Sequence, residues 1–235
     1  MKDSGSNHKD PSPAQPGTGA NSSSKGRRSK ATTLLLVRHG KTPTTGKILP
    51  GRTAGLHLSD EGVEMASAIA EKIFDSFPSP DAIYSSPMER ALETAAPYSS
   101  LTKVPITEHP GILECDFGEW TGAELKSLYR LKEWKIVQSR PSLFRFPNGE
   151  SFTEMSDRMR NFMLEVAQRH KGGVVVAFSH ADPIKALVAD CLGMHLDQFQ
   201  RILISVTSVS NISVLDGLAF VQGVNYTPAI TKGAF

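Results

Sequence analysis

The stretch "TTLLLVRHGKT" at residues 32–42 is the most apolar run near the start of the chain, and it stops abruptly in Arg38, His39 and Gly40. A run of that kind is expected for a β-strand buried on both faces. A buried strand ending there delivers two nitrogen-rich side chains to its carboxyl end, and Gly40 lets the backbone turn closely behind them.

The sequence around this strand alternates between strand and helix patterns. "LSDEGVEMASAIAEKIF" (58–74) spaces Val63, Ala66, Ile69, Ala70 and Ile73 at helical intervals behind an N-cap at Ser59, with Asp60 and Glu61 in the first turn. "DAIYSSP" (81–87) is a short strand stopped by Pro87, and "MERALETAAPYSS" opens another helix. "SFTEMSDRMRNFMLEVAQRH" (151–170) begins with a capping box, Ser151 followed three residues later by Glu154. "GGVVVAFSH" (172–180) is a second wholly apolar strand, followed by the helix "ADPIKALVADCLG". Near the end, "RILISVTSV", "SNISVLDG" and "LAFVQGV" have strand patterns, the last two joined as a hairpin by Asp216-Gly217. This alternation predicts an α/β domain, a three-layer α/β/α sandwich around a mainly parallel sheet, over residues 31–235. Residues 112–150 break the alternation. They are richer in aromatic and charged residues and are expected to form an insertion over one end of the sheet, above the active site.

The net charge of +2 is unevenly divided. Residues 1–30 hold six lysines and arginines against two aspartates, leaving 20 basic and 22 acidic groups for the rest, a net −2. That first segment has no Leu, Ile, Val or aromatic residue, so it cannot bury enough apolar surface to offset the entropy of ordering and is expected to be a disordered, basic Ser/Gly/Pro-rich tail. Its "KGRRSK" (25–30) is too short a basic run to indicate nucleic acid or membrane binding, and neither is expected. It also lacks the apolar centre of a secretory signal, and no stretch approaches the roughly 18–20 unbroken apolar residues of a membrane span. The two cysteines, Cys115 and Cys191, fit no metal spacing, which is consistent with a reduced, cytoplasmic protein. Oligomeric state is not legible in the chain.

In open α/β sheets, ligands bind beyond the carboxyl ends of the strands. The three strands with distinctive ends place Arg38-His39, Ser85-Ser86 with Arg90 one helical turn on, and Ser179-His180 at that edge. Two arginines and two histidines converging on one volume suit a phosphoryl group. Guanidinium forks match its oxygens, and a neutral imidazole nitrogen can attack phosphorus. The leaving alkoxide still needs a proton, so a carboxylic acid is expected nearby. With no acidic cluster or histidine pair at metal spacing, the cationic side chains are expected to replace a metal, and no cofactor is expected.

These motifs resemble the histidine phosphatase superfamily, the phosphoglycerate mutase-like proteins. "VRHGKT" is similar to its RHG signature, "SSPMERALETA" (85–95) to its second motif and "FSHADPIKAL" (178–187) to its third. "GILECDFGEWTG" (111–122) resembles the segment carrying the proton donor, and "FPNGESFTEMSDRM" the Gly-Glu-Ser helix start. The resemblance covers about residues 33–215. It implies His39 as nucleophile and future phosphohistidine, with Arg38, Arg90 and His180 holding the phosphoryl group. It implies Glu114 as the acid that protonates the leaving oxygen and then activates water, and Thr42 as a further donor to the phosphate. Seven residues after Arg38 the family commonly carries an asparagine that touches the phosphate. Here Thr45 stands in its place, with a shorter side chain and one hydroxyl donor. Arg52 lies on the loop where related proteins meet substrate, and is a candidate for binding a second anionic group.

The longer inserted segments of the family's mutases are absent, and the aromatics of residues 112–150 suit a partly apolar phosphomonoester better than a small bisphosphate. The reading is therefore a metal-independent phosphomonoester hydrolase acting on a small phosphorylated metabolite. A mutase-type phosphoryl transfer and a non-catalytic phospho-ligand binder are the alternatives.

Overall fold

The computed structural model describes residues 1, 2, 5 and 30–227, so nearly all of the tail expected to be disordered lies outside the described residues. The apolar run forms β1 (Thr32–Arg38) at the middle of a six-stranded sheet. The chain continues through α1 (Asp60–Ser76), β2 (Ala82–Ser85), α2 (Glu89–Thr102) and β3 (Ile106–Glu108). The short helices α3 (Leu125–Leu128) and α4 (Lys132–Ser139) lead to α5 (Phe152–Arg169), β4 (Val174–Ser179), α6 (Ala181–Cys191), β5 (Val209–Leu215) and β6 (Leu218–Tyr226). The strand order is β3-β2-β4-β1-β5-β6; β1 to β4 are mutually parallel and β5 is antiparallel to both β1 and β6. The expected α/β sandwich is thus found, with a mixed sheet.

Successive residues of β1 point to opposite faces, which explains its unbroken apolar character. Leu34 and Leu36 pack with Phe162, Val166, Ile184 and Leu187 of α5 and α6. Leu35 and Val37 pack with Ile69, Ile73, Ala95 and Tyr98 of α1 and α2. Burying each such side chain contributes about 1.5–3 kcal/mol. Ser59 caps α1 by accepting from the Gly62 N–H, and the Ser151–Glu154 capping box starts α5. Within α1, Gly62, Ala66, Ile69, Ala70 and Ile73 are buried, whereas Val63 lies on the exposed side. The hairpin turn between β5 and β6 has Asp216 and Gly217 at φ of 49° and 82°, the positive values a tight hairpin requires.

One strand expectation is overturned. "RILISVTSV" does not form a strand before Val209: Leu196–Arg201 is a 3-10 helix and 202–208 is irregular. The reason is bonding to Arg38 at the end of β1, far away in the sequence. The Ile204 carbonyl accepts from Arg38 Nη1 at 2.7 Å, the Thr207 N–H donates to the Arg38 carbonyl at 3.1 Å, and the Ser208 carbonyl accepts from the Arg38 N–H at 3.1 Å. The segment wraps the end of β1 instead of extending beside it.

Residues 112–150 follow a 3-10 turn at Pro110–Ile112 and hold a second at Gly118–Trp120, then α3, α4 and a third 3-10 turn at Pro141–Leu143. Their aromatics pack chiefly on one another. Phe117, Trp120, Phe144 and Phe146 are buried together with Phe152 and Phe199, while Tyr129 is exposed. They therefore supply a core rather than an apolar substrate wall, and they carry no weight in choosing between phosphatase and mutase. The segment is tied to the loop after β1 through Leu49 N–H to Ala123 O, Gly122 N–H to Leu49 O and Leu125 N–H to Lys47 O, which places it at the carboxyl end of the sheet.

Candidate active site

The register that pairs Arg38 with Ser179 sets the ends of β1 and β4 side by side. His39 follows, its N–H donating to the Ser179 carbonyl at 2.9 Å, and His180 follows Ser179 as the residue preceding α6. The Ser86 N–H donates to the Phe178 carbonyl, bringing in the end of β2, and the first turn of α2 presents Arg90. The structure brings Arg38, His39, Arg90, Glu114 and His180 into one electrostatic neighbourhood.

His39 and His180 are both buried, with ring centroids 5.2 Å apart. His39 Nδ1 lies 2.7 Å from the Gly40 carbonyl, so it carries the proton, donates it there, and leaves Nε2 with a free lone pair. Burial, followed by the Arg90 and Arg38 charges, holds the His39 pKa well below the ordinary imidazole range. Burial and then Arg90 do the same to His180. Both rings are therefore neutral near pH 7. His180 Nε2 is 2.8 Å from Ser86 Oγ, which itself accepts from the Met88 N–H at 3.4 Å. With the Ser86 hydroxyl donating to Nε2, the His180 proton sits on Nδ1.

Four buried donors here have no protein partner: Arg38 Nε, Arg90 Nε, Arg90 Nη1 and His180 Nδ1. They are four of the seven such side-chain atoms among the described residues. Each unpaired buried polar atom costs about 1–3 kcal/mol. Their concentration at one spot, two of them on a fully buried guanidinium, marks a cradle for an oxygen-rich anion. Arg90 uses only Nη2, which donates to the Gly51 carbonyl at 2.8 Å. Burial lowers the pKa of both arginines, and the Glu114 charge opposes that shift.

Glu114 is buried, and its Oε1 accepts from the Cys115 N–H at 2.9 Å. Burial, then the Asp182 charge, pushes its pKa up to about 7 against the pull of Arg90 and Arg38. It can hold a proton at neutral pH and also release one, as an acid that later acts as a base requires.

The remaining candidates are placed differently. Thr42 is buried, and its N–H donates to Thr45 Oγ1 at 2.9 Å, with the two hydroxyl oxygens 3.0 Å apart. Thr45 thus closes its own loop through its hydroxyl. Arg52 donates through Nε to the Glu114 carbonyl at 2.9 Å and through Nη2 to Glu150 Oε2 at 3.1 Å, with Asp116 Oδ2 at 3.7 Å from Nη1. One backbone carbonyl and two carboxylates engage the guanidinium that the sequence assigned to substrate.

Sequence reasoning missed several supporting residues. Thr94 Oγ1 accepts from the Gly40 N–H at 2.9 Å and donates to the Arg90 carbonyl at 2.6 Å, tying the His39 turn to Arg90. Ser86 orients His180, and Asp182 acts on Glu114. Thr94 lies four residues after Arg90, the helical spacing that signals a shared face. Among the described residues no group of three or more His, Cys, Asp or Glu is arranged to hold a metal ion, and no helix is long and apolar enough to cross a membrane.

Comparison with known proteins agrees with this geometry. The sequence profile of the histidine phosphatase superfamily (branch 1) matches residues 34–227. The chain is 30% identical over 171 residues to phosphoserine phosphatase 1 of Hydrogenobacter thermophilus, covering 71% of this chain and 79% of that protein. It is 30% identical over 166 residues to the metal-independent phosphoserine phosphatase of Arabidopsis thaliana, covering 68% of each. The crystal structure of phosphoserine phosphatase from Entamoeba histolytica in complex with 3-phosphoglyceric acid superimposes with a TM-score of 0.75 at 26% identity, over 84% of this chain and 98% of that one. The chain belongs to the histidine phosphatase superfamily and is a phosphatase.

Proposed function

We propose that the protein hydrolyses a small phosphomonoester through a phosphohistidine on His39, without a metal. His39 Nε2 attacks phosphorus, the bond from phosphorus to the ester oxygen breaks, and Glu114 gives its proton to the departing alkoxide. The Glu114 carboxylate then takes a proton from water, whose oxygen attacks phosphorus. The bond to Nε2 breaks, releasing inorganic phosphate and restoring His39. Arg38, Arg90 and His180 hold the three non-bridging oxygens, where charge accumulates in the transition state. Thr42 adds a hydroxyl at the edge of the site. Arg52, held among carboxylates, reaches substrate only by exchanging those partners.

The observation that carries this reading is the set of four unpartnered donors beside a neutral His39, with a carboxyl titrating near 7. The names of the relatives support phosphoserine or a similarly small, polar phosphomonoester as substrate. Both cysteines are free thiols, in keeping with a cytoplasmic setting.

The test is hydrolysis of p-nitrophenyl phosphate and phosphoserine by wild type and His39→Ala, with protein quenched in alkaline detergent assayed for acid-labile, base-stable phosphate. Wild type is expected to turn over in the presence of a chelator and to trap phosphate on His39. Activity surviving in His39→Ala overturns the phosphohistidine route. Rapid formation of 2-phosphoglycerate from 3-phosphoglycerate plus bisphosphoglycerate overturns hydrolysis in favour of mutase chemistry.

A further inference from the structure

Glu114 stands on a loop, between a 3-10 turn at Pro110–Ile112 and another at Gly118–Trp120, so no helix or strand fixes it. What fixes it lies behind. The Glu114 carbonyl accepts from Arg52 Nε at 2.9 Å and from Arg158 Nη2 at 3.1 Å, so both its lone pairs are used. Arg158, on α5, also donates through Nη1 to the Gly111 carbonyl at 3.0 Å. One guanidinium thus spans both ends of the four-residue stretch that carries the acid. Glu150 in turn holds both arginines. Its Oε1 accepts from Arg158 Nε at 2.7 Å, and its Oε2 accepts from Arg158 Nη2 at 3.0 Å, Arg52 Nη2 at 3.1 Å and the Asp116 N–H at 3.2 Å. The Glu150 N–H closes the ring by donating to the Asp116 carbonyl at 2.8 Å. The Glu150 side chain is 12% exposed and that of Arg158 19%, so little water competes for these bonds.

We propose that Glu150 and Arg158 are positioning residues for Glu114: the Glu150 carboxylate aims Arg158 and Arg52 at the loop carbonyls and so fixes where the acid meets the leaving oxygen. The proposal rests on the reading of Glu114 as that acid. A carboxyl displaced by about 1 Å from the leaving oxygen loses on the order of 100-fold in rate. On a loop with no regular structure that tolerance rests on bonds of this kind, added to the Ser179 Oγ bond to the Ile112 carbonyl at 2.8 Å and the burial of Ile112 and Cys115.

The clamp also has an electrostatic consequence. The Glu114 carboxyl is acted on by Asp182 from α6, Arg90 from α2 and Arg38 from β1, and shares the site with neutral His39 and His180. Behind the loop stand Arg52 and Arg158, balanced by Glu150 and by Asp116 near Arg52. Neutralising Glu150 leaves the two guanidiniums with Asp116 alone, which favours ionised Glu114 and lowers its pKa.

The experiment compares wild type, Glu114→Gln, Glu150→Gln, Arg158→Lys and the Glu114→Gln/Glu150→Gln double variant. The substrates are phenyl phosphate, whose leaving oxygen needs a proton, and p-nitrophenyl phosphate, whose leaving oxygen hardly does. Glu150→Gln and Arg158→Lys are expected to cut kcat/KM, which reports the phosphorylation step, on phenyl phosphate by roughly 10–100-fold and on p-nitrophenyl phosphate by much less. Glu150→Gln is expected to move the basic limb of the pH profile down by roughly half a unit to one unit, and to add little in the Glu114→Gln background. Equal losses on both substrates with an unmoved basic limb would overturn the proposal, since those changes are what a structural defect alone gives. Arg158→Lys keeps the charge and carries the substrate comparison if Glu150→Gln does not fold. Wild-type turnover of phenyl phosphate by Glu114→Gln would instead overturn the acid assignment itself, and the two failures are thereby told apart.

Discussion

The rings of His39 and His180 meet edge-on, their planes at 60° and their centroids 5.2 Å apart, and neither has a carboxylate hydrogen-bonded to it. A proton on either would lie beside the other ring and two guanidiniums, so both rings stay neutral. The consequence for folding has a definite sign. A histidine whose folded pKa is depressed contributes stability that is present above its unfolded value, about 6.5, and is lost as pH falls toward the folded pKa. Glu114 runs the other way, its contribution present below the ordinary carboxylate value and lost as pH rises to about 7. Two histidines outweigh one carboxyl, each titrating at up to about 1.4 kcal/mol per pH unit. Urea midpoints are therefore expected to fall steadily from pH 6.5 to 4.5, and more gently in His180→Gln. Midpoints that rise on acidification would contradict the neutral pair.

The same groups set the pH dependence of turnover. Glu114 must carry its proton to protonate a leaving alkoxide, so kcat/KM is expected to decline above about pH 7. On the acid side, the second ionisation of a phosphomonoester, near about 6, precedes protonation of His39, so the acid limb belongs to the substrate. Glu114→Gln is expected to lower the rate roughly 10²–10⁴-fold and to flatten the basic limb. Retention of that limb in Glu114→Gln would assign it to another group.

Arg90 is fully buried, and a single carbonyl bond is all that holds its guanidinium, a poor arrangement for stability and a good one for binding an anion. Replacing a buried charge by an apolar side chain of similar size is often neutral or stabilising. Arg90→Met is expected to leave Tm unchanged or raised by a few degrees while kcat/KM falls about 10²–10³-fold. Inorganic phosphate is expected to raise the Tm of wild type and to do little for the variant. A variant within tenfold of wild-type kcat/KM would remove Arg90 from the phosphoryl cradle.

What could be read from the sequence divides along physical lines. β1 and β4 are apolar on both faces because helices cover both, so their ends, and with them Arg38, His39 and His180, could be located without coordinates. The Ser151–Glu154 capping box was equally legible because it is a local motif. Three-residue β3 carries too little pattern to register, and its side chains are largely exposed at the sheet edge. "RILISV" has strand composition, but its backbone bonds to β1, a non-local event. Arg52 looked free because its partners, Glu114 and Glu150, lie 62 and 98 residues away. Arg158 and Glu150 went unassigned for the same reason: their meaning is the loop they hold, which spacing along the chain does not reveal.

The turn carrying His39 rests on the first turn of α1, and Gly62 is where they touch. The Lys41 carbonyl accepts from the Ser59 N–H at 2.9 Å and from Ser59 Oγ at 3.2 Å, drawing the turn against the helix. A Cβ on Gly62 would lie 2.1 Å from that carbonyl oxygen, and one on Gly40 would lie 2.8 Å from the Gly62 carbonyl oxygen. Helix propensity alone favours alanine over glycine at Gly62 by about 1 kcal/mol. Overpacking against backbone costs about 1–3 kcal/mol, so the steric effect is the larger. Gly62→Ala is expected to lower Tm by about 2–6 °C and to reduce kcat, because the displaced Lys41 carries Gly40 and His39 with it. Gly223→Ala, on β6 with no atom within 4 Å of the added carbon, is the control and is expected to match wild type. A Gly62→Ala protein as stable and active as that control would mean that the Lys41 carbonyl yields freely, and that α1 does not hold the nucleophile's turn in place.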